Sequence, residues 1–489
     1  VKKIVSIIKN FGVKNFIIIL LLLIFSFTIR VYNPGEQGLW ADEAFTVSFS
    51  KISLVEMFET IYGEAHPPLY YLIMHVVFYL GDSEFIARLP SVIFSILTVI
   101  IIFSLAGGKE YFFSSLISSI LFGFSCYSIE ITSMARMYSL QCFLSVLCVY
   151  FLRQCIFSDR RENIFPWIAY TVTSVAMIYT QYTSFIFLFS INIYYLICWK
   201  HTGRYLFRWI LSNIAIIILF LPWIKIFLLQ SSGGYGQLLP VPDIKIISDV
   251  FLIILYGGVF SISYDLYPLI LIPPLILFLA GIYNCRKQEI CNFYLPVALF
   301  LIPLCITLII SVFTVKRIFS EKHFFYAIPF LYIILARGFY YVKSRRKLLI
   351  IPLALLFLSL NVYSIYNINF VEKHFLPDWK GAVNNIEKIS SPGDIILVQD
   401  PFQYFPFSYY YRGHMPLYTI LPANVPSDLL ALSRSSKRIW LVRCQDWHSD
   451  PQGIVRTWLE KNCKVKEHFV YYRIDRASLI TVDLYEAFP

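Results

Sequence analysis

Apolar runs of membrane-spanning length recur along this chain, among them "NFIIILLLLIFSF", "SVIFSILTVIIIFSLA" and "LLIIPLALLFLSL". A helix needs roughly 20 predominantly apolar residues to cross a bilayer. Many such runs leave few folds open. In lipid every backbone N–H and C=O must be satisfied inside the protein, which allows only helices and closed barrels. Barrel strands alternate apolar and polar residues, and these runs do not. Composition agrees: the 489 residues are 58% hydrophobic and 15% charged, with a mean hydropathy of +0.66. The fold class is an α-helical polytopic membrane protein. The first run follows basic residues, as in a signal peptide. It is long, however, and no small-x-small site follows it, so it reads as a retained helix.

The spacing predicts spans at 15–31, 88–106, 111–128, 138–153, 164–180, 182–198, 208–229, 267–284, 293–312, 324–340 and 347–365. That is eleven, so a cytoplasmic N-terminus puts residues 366–489 outside. Charge supports this orientation. The proposed inner segments hold 17 basic residues, such as Lys2, Arg160, Arg204, Arg286 and Arg345. The outer loops hold six: Lys51, Arg136, Lys245, Lys316, Arg317 and Lys322. This is the positive-inside pattern, and it accounts for the net charge of +11 better than nucleic acid does. The stretch 248–265, "SDVFLIILYGGVFSISYD", is short and holds Gly257 and Gly258. It reads as re-entrant or interfacial; a hidden pair of short spans here would bring the number to thirteen.

Two large outer loops follow, 32–87 and 230–266. The first holds eight acids, among them Asp42, Glu43 and Glu64, against one Lys. These loops and the spans make up a membrane domain, 1–365. In 366–489 the charges return. "PDWKGAVNNIEKIS" reads as a helix with Asp378 as N-cap, "IILVQD" as a buried strand and "PFQYFPFSYYYRG" as an aromatic helix or turn. "PSDLLALSRSS" and "KRIWLVRCQD" repeat helix then strand. "GIVRTWLEKNC" is helical, and "HFVYYRID" with "ASLITVDLYEA" reads as a hairpin. The tail is thus a small α/β extracytoplasmic domain. Cys444 and Cys463 both fall in it, where either a disulfide or two buried thiols would fit.

Ionisable residues gather in the predicted outer segments. "WADEAF" carries Asp42 and Glu43. "EAHPPLYYLIMH" carries Glu64, His66, Tyr70 and Tyr71. "EITSMARMYSL" carries Glu130, Arg136 and Tyr138; "YTQYTSF" carries Tyr182; "VKRIFSEKHFFYAIPF" carries Lys316, Arg317, Lys322 and His323. Singly each has an ordinary reading: solvated acids, a Pro-started helix, a snorkelling Arg, headgroup contacts. Together they offer a general base, a phosphate clamp and aromatic surfaces. That inventory suits group transfer from a lipid phosphate. Carboxylates also bind hard cations. A divalent metal ion is the one cofactor this leaves room for, with Asp42, Glu43 and Glu64 as candidate ligands.

The ordered set "WADEAF", "HPPLYY", "ARMYSL", Tyr-Thr-x-Tyr, "EKHFFYAIPF", "DWKGAV" and "PGDIILV" resembles bacterial membrane glycosyltransferases of the GT-C fold. These are relatives of protein O-mannosyltransferases (glycosyltransferase family 39), of the lipid A aminoarabinose transferase and of rhizobial lipopolysaccharide-core transferases. The resemblance implies a polyprenyl-phosphate sugar as donor and an inverting hexosyl or pentosyl transfer outside the cytoplasmic (inner) membrane. The acceptor would be a lipid, glycan or protein of the cell envelope. It implies Asp42 as general base with Glu43 assisting, and His66, Arg136, Lys322 and His323 on the donor phosphate. Tyr70, Tyr71, Glu130, Tyr138 and Tyr182 would contact substrates. The chain departs from many relatives at Met134, where they carry an acid, and at Gln181, where they carry His. Two other function classes compete: a transporter or flippase of lipid-linked sugar, which should show paired repeats with mid-membrane charge, and a non-catalytic envelope scaffold.

Overall fold

The computed structural model describes the chain apart from residues 1–11, 33–37, 109–110, 158–162, 233–238, 258–263, 286–289, 368–369, 371–376, 421–424, 426, 447–448, 472–478 and 488–489. Two compact units divide it. The first comprises Val1–Tyr32, Ser53–Val77 and Arg88–Ile365; the second comprises Asn33–Ile52, Phe78–Ala87 and Tyr366–Pro489. The first outer loop, read above as part of the membrane domain, is therefore shared between the units, with Asp42 in the second.

Among the described residues, eight helices are long and apolar enough to cross a membrane, or nine if a bent pair counts as one. All eleven predicted spans coincide with apolar helices. Two of those, Phe165–Ile178 and Ser184–Ile197, have only 14 residues each. The stretch beginning at 248 lies partly in a 13-residue helix, Ile244–Tyr256, that stops at Gly257 with φ of 89°. At 1.5 Å per residue it is about 20 Å long, short of the ~30 Å hydrocarbon core. Residues 258–263 of that reading lie outside the described ones.

The predicted span 111–128 is not one straight helix. Phe112–Phe124 and Cys126–Thr132 meet at a 57° bend, and a bend strands backbone groups that must find partners. Arg30, buried near the end of the first helix, donates to Gly123 O (2.7 Å), Phe122 O (3.3 Å) and Thr132 Oγ1 (2.9 Å). Asn361 accepts from Cys126 N (2.9 Å) and donates to Leu255 O (3.1 Å). The Tyr332 hydroxyl donates to Ile254 O and lies 2.8 Å from Ser125 Oγ. This polar frame fixes the segment that carries Glu130. Nearby helices pack by glycine. A Cβ at Gly281 would meet Ile334 O at 2.2 Å, and one at Gly338 would meet Leu277 O at 1.9 Å, so both backbones approach as only small residues permit.

The second unit is built on a five-stranded sheet of order β2-β1-β3-β5-β4. The strands are β1 (Asp394–Val398), β2 (Leu417–Thr419), β3 (Arg438–Cys444), β4 (Cys463–Tyr471) and β5 (Ile480–Ala487). β1 runs parallel to β2 and β3; β5 is antiparallel to β3 and β4. β1 is buried at every position, because both faces are covered. Ile396 and Val398 pack with Trp379, Val383 and Phe407; Ile395 and Leu397 pack with Leu429, Val455 and Leu459. Asp378 caps the helix Trp379–Ile389, accepting from Gly381 N at 2.9 Å. Cys444 and Cys463 are buried free thiols. Cys444 pairs with Ile480 and Cys463 with Ala487. Seven residues of β5, about 23 Å at 3.3 Å per residue, separate those registers, so no disulfide joins them.

Candidate active site

In the first unit, five of the predicted residues come together: Glu64, His66, Arg136, Lys322 and His323. His66 precedes Pro67, which biases it toward extended backbone. Pro68 O then accepts the first helical bond, from Leu72 N at 3.0 Å, so the helix Leu69–Val77 starts just beyond the loop. Arg136 lies in the turn between Cys126–Thr132 and Tyr138–Phe157, 4% exposed. Its backbone is held separately from its charge: Ser91 Oγ donates to Arg136 O (3.3 Å), and the Tyr70 hydroxyl lies 3.3 Å from Ser91 Oγ.

The Arg136 Nη2 to His66 Nε2 distance is 3.0 Å. A guanidinium only donates. His66 Nε2 must therefore accept, so the imidazole is neutral with its proton on Nδ1. Burial, then the charges of Arg136 and His323, push the His66 pKa well below its usual value, in agreement. Glu64, two residues earlier, is pushed up to about 7 by burial, against the pull of Arg136. His323 lies within electrostatic range of both Arg136 and His66. Its Nδ1 is buried and has no hydrogen-bond partner among the described residues. Lys322 and Glu321 stand close enough to Glu130 to act on its charge. The result is a half-buried cluster of one fixed cation, a second close by, two imidazoles and a carboxyl that titrates near neutrality.

Other predicted residues fall differently. Tyr70, Tyr71 and Tyr138 are at most 4% exposed. Tyr182 donates its hydroxyl to Gln230 Oε1 and accepts from Trp223 Nε1 at 2.9 Å. Lys316 donates to Ser231 O and Arg317 to Leu239 O.

In the second unit, Asp42 and Glu43 open the helix Ala41–Lys51, where the helix dipole favours acids. Glu43 is fully buried and its Oε2 accepts from Trp40 N at 3.4 Å. Asp42 is half-buried, which makes it the more approachable carboxylate. The helix is fastened within its unit. Phe45 packs edge-on against Phe405 at 5.0 Å, and Leu39 N donates to the Tyr410 hydroxyl at 2.7 Å. Among the described residues no three His, Cys, Asp or Glu side chains form a metal-binding group, and Glu43 serves as a cap.

Sequence reasoning missed Ser91, Gln230 and Trp223. The one available signal was Gln230, a polar residue directly after the apolar run 208–229.

Comparison with known proteins extends this picture. Residues 65–225 match the family model of dolichyl-phosphate-mannose-protein mannosyltransferases. No curated protein matches the chain. Among solved structures, ArnT from Cupriavidus metallidurans bound to undecaprenyl phosphate aligns over 95% of this chain and 97% of its own, at 13% identity and TM-score 0.54. An Archaeoglobus fulgidus oligosaccharyltransferase tethered to an acceptor peptide aligns over 94% and 73%, at 10% identity and TM-score 0.56. The same organism's oligosaccharyltransferase AglB, in complex with an inhibitory peptide and a dolichol-phosphate, aligns over 98% and 75%, at 12% identity and TM-score 0.52. The fold is the GT-C fold.

Proposed function

We propose that this GT-C protein is a glycosyltransferase. It moves a sugar from a polyprenyl-phosphate donor to an envelope lipid, glycan or protein at the outer face of the cytoplasmic membrane. The observation that carries this reading is the Arg136–His66 pair at 3.0 Å beside His323. A buried guanidinium next to neutral imidazoles, at the ends of membrane helices, is a receptor for a phosphate on a lipid. The undecaprenyl phosphate of the ArnT structure and the dolichol-phosphate of the AglB structure are ligands of that chemistry.

In the reaction, Asp42 removes the proton from the acceptor's hydroxyl or amine as that atom attacks the sugar's anomeric carbon. The bond from that carbon to the phosphate oxygen breaks with its electron pair, and the configuration inverts. Charge grows on the leaving phosphate, where Arg136, Lys322 and the His323 nitrogen stabilise it. His66 accepts from Arg136 and so fixes the direction of the guanidinium. Holding two membrane-bound substrates in register supplies much of the acceleration. The donor sugar is read as a hexosyl or pentosyl group.

Purified protein, a polyprenyl-phosphate sugar and extracted envelope acceptors test the reading. Asp42→Asn should lower transfer by roughly 10²–10⁴-fold, the usual worth of a general base, with folding unchanged. Near wild-type turnover would remove Asp42 from the chemistry. A wild-type protein inert toward every polyprenyl-phosphate sugar would favour the transporter or scaffold instead.

A further inference from the structure

The outer end of the helix pair Leu206–Phe220 and Ile224–Ser232 carries a hydrogen-bonded relay that touches none of the reacting groups. Trp223 Nε1 donates to the Tyr182 hydroxyl at 2.9 Å, and that hydroxyl donates to Gln230 Oε1. The other end of the same amide, Gln230 Nε2, donates to Ile61 O at 2.7 Å and to His66 O at 3.4 Å. Gln230 is 5% exposed. The network fixes which end of the amide is which: two carbonyls demand the NH₂, and the phenol's proton demands the oxygen. One side chain thus grips both ends of the segment 61–66 that presents Glu64 and His66. A second tie lies just beyond, where Leu69 N donates to Tyr179 O at 3.0 Å. One tie comes from the end of the helix Ile224–Ser232 and the other from the turn 179–183, both far away in sequence.

We infer that Gln230, oriented by Tyr182 and Trp223, is a positioning residue that holds the Glu64–His66 loop in register with Arg136, and so sets the affinity for the lipid phosphate. The physical reason is the loop's own chemistry. Its start is tied locally, Glu64 N donating to Ile61 O at 3.0 Å, but Pro67 and Pro68 have no N–H to donate and so cannot hold its end. His66 can accept from Arg136 only within hydrogen-bond reach, and the loop's position decides that. Tyr182, read from sequence as a substrate contact, acts instead through Gln230. The step from relay to affinity rests on the transferase reading; the step from relay to loop order does not.

Two measurements on the full-length protein in nanodiscs separate those steps. Hydrogen–deuterium exchange over residues 61–69 reports loop order without any substrate. Gln230→Leu should speed exchange there at least about tenfold, the worth of one or two lost buried hydrogen bonds. Unchanged exchange overturns the inference whatever the activity. Initial rates with a polyprenyl-phosphate sugar report affinity. Gln230→Leu should raise the donor KM by about tenfold while kcat changes less than about threefold. Tyr182→Phe should move KM the same way by less, and the double variant should match Gln230→Leu alone, because the two act in series. Additive effects, or a fall in kcat with KM unmoved, would make the relay a packing device and overturn the inference. Faster exchange in a protein whose wild type is inert toward every such donor would sink the transferase reading and the affinity step, leaving the brace itself standing.

Discussion

Buried charges in the sheet unit and those of the candidate site in the membrane unit are treated in opposite ways. In the sheet unit each comes with its partners. Asp394 accepts from Arg438 Nε (2.8 Å) and Nη2 (2.7 Å), from Trp440 Nε1 (3.0 Å) and from Ser391 N (2.9 Å). Asp450 accepts from Ile454 N, Val455 N and Gln399 Nε2. Asp483 is met by Arg443 and His468. In the membrane unit Arg136 faces the lone pair of a neutral imidazole, Glu64 titrates near neutrality, and His323 Nδ1 is buried without a partner among the described residues. Saturated networks rigidify a fold. Buried ionisable groups with strongly shifted titration are candidates for contact with a ligand.

Substituting one charge from each unit is the most direct way to break this contrast. Arg136→Leu should reduce transfer by roughly 10²–10³-fold, the worth of a lost charge-stabilising donor. It should leave the unfolding midpoint nearly unmoved, since Arg136 O keeps its own bond to Ser91. Asp394→Asn should do the reverse. It costs about 2–3 kcal/mol of stability, below the 3–5 kcal/mol of a fully buried pair because Arg438 is 24% exposed. Rates per folded molecule should stay the same. The Asp394 loss should also follow pH. Burial works against its charge, but hydrogen bonds from Arg438 and Ser391 hold its carboxyl below the usual value. Its contribution is therefore present above about pH 4, the unfolded value, and fades as pH falls through the lower folded value. Thermal unfolding between pH 2 and 7 checks this; a midpoint equally lowered by Asp394→Asn at pH 2 and pH 7 would contradict it.

The same contrast explains what was legible in the sequence. Lipid requires unbroken apolar runs, so every predicted span met an apolar helix. A sheet covered on both faces writes its strands as apolar blocks between helices, so the order of the tail was readable. The three-residue β2 is too short to leave a pattern. The bend after Phe124 sits inside an apolar run, and the groups that satisfy it, Arg30 and Asn361, lie 94 residues before it and 237 after it, counted from Phe124. For the site, the residue types were visible because ionisable groups near membrane helices are rare. Their roles were not. The cap bond from Trp40 N to Glu43 could not be read from its place beside Asp42, and nothing near Tyr182 in sequence names Gln230 as its partner.

The smallest expected effect sharpens the contrast most, because it depends on a single proton. Glu64 stands within electrostatic range of Arg136, and burial raises its pKa to about 7. Below that pH it is neutral and does not compete with a phosphate for the cation. Above it, the carboxylate competes with the phosphate for the same guanidinium. The sign follows. A raised carboxyl pKa means the folded state favours the protonated form, so what it contributes to stability is full below about pH 4.3, the unfolded value. That contribution is lost as pH rises through about 7. Donor affinity should fall across the same upper limb, by about three- to tenfold between pH 6 and 8.5, a range equivalent to a weak, solvent-screened charge interaction. Glu64→Gln keeps the shape and removes the charge. It should flatten the donor KM over that range and match the wild type at pH 6. The measurement is donor KM against pH for both proteins, at fixed ionic strength. If the upper limb persists in Glu64→Gln, another group carries it, and Glu64 belongs with the structural charges of the sheet unit.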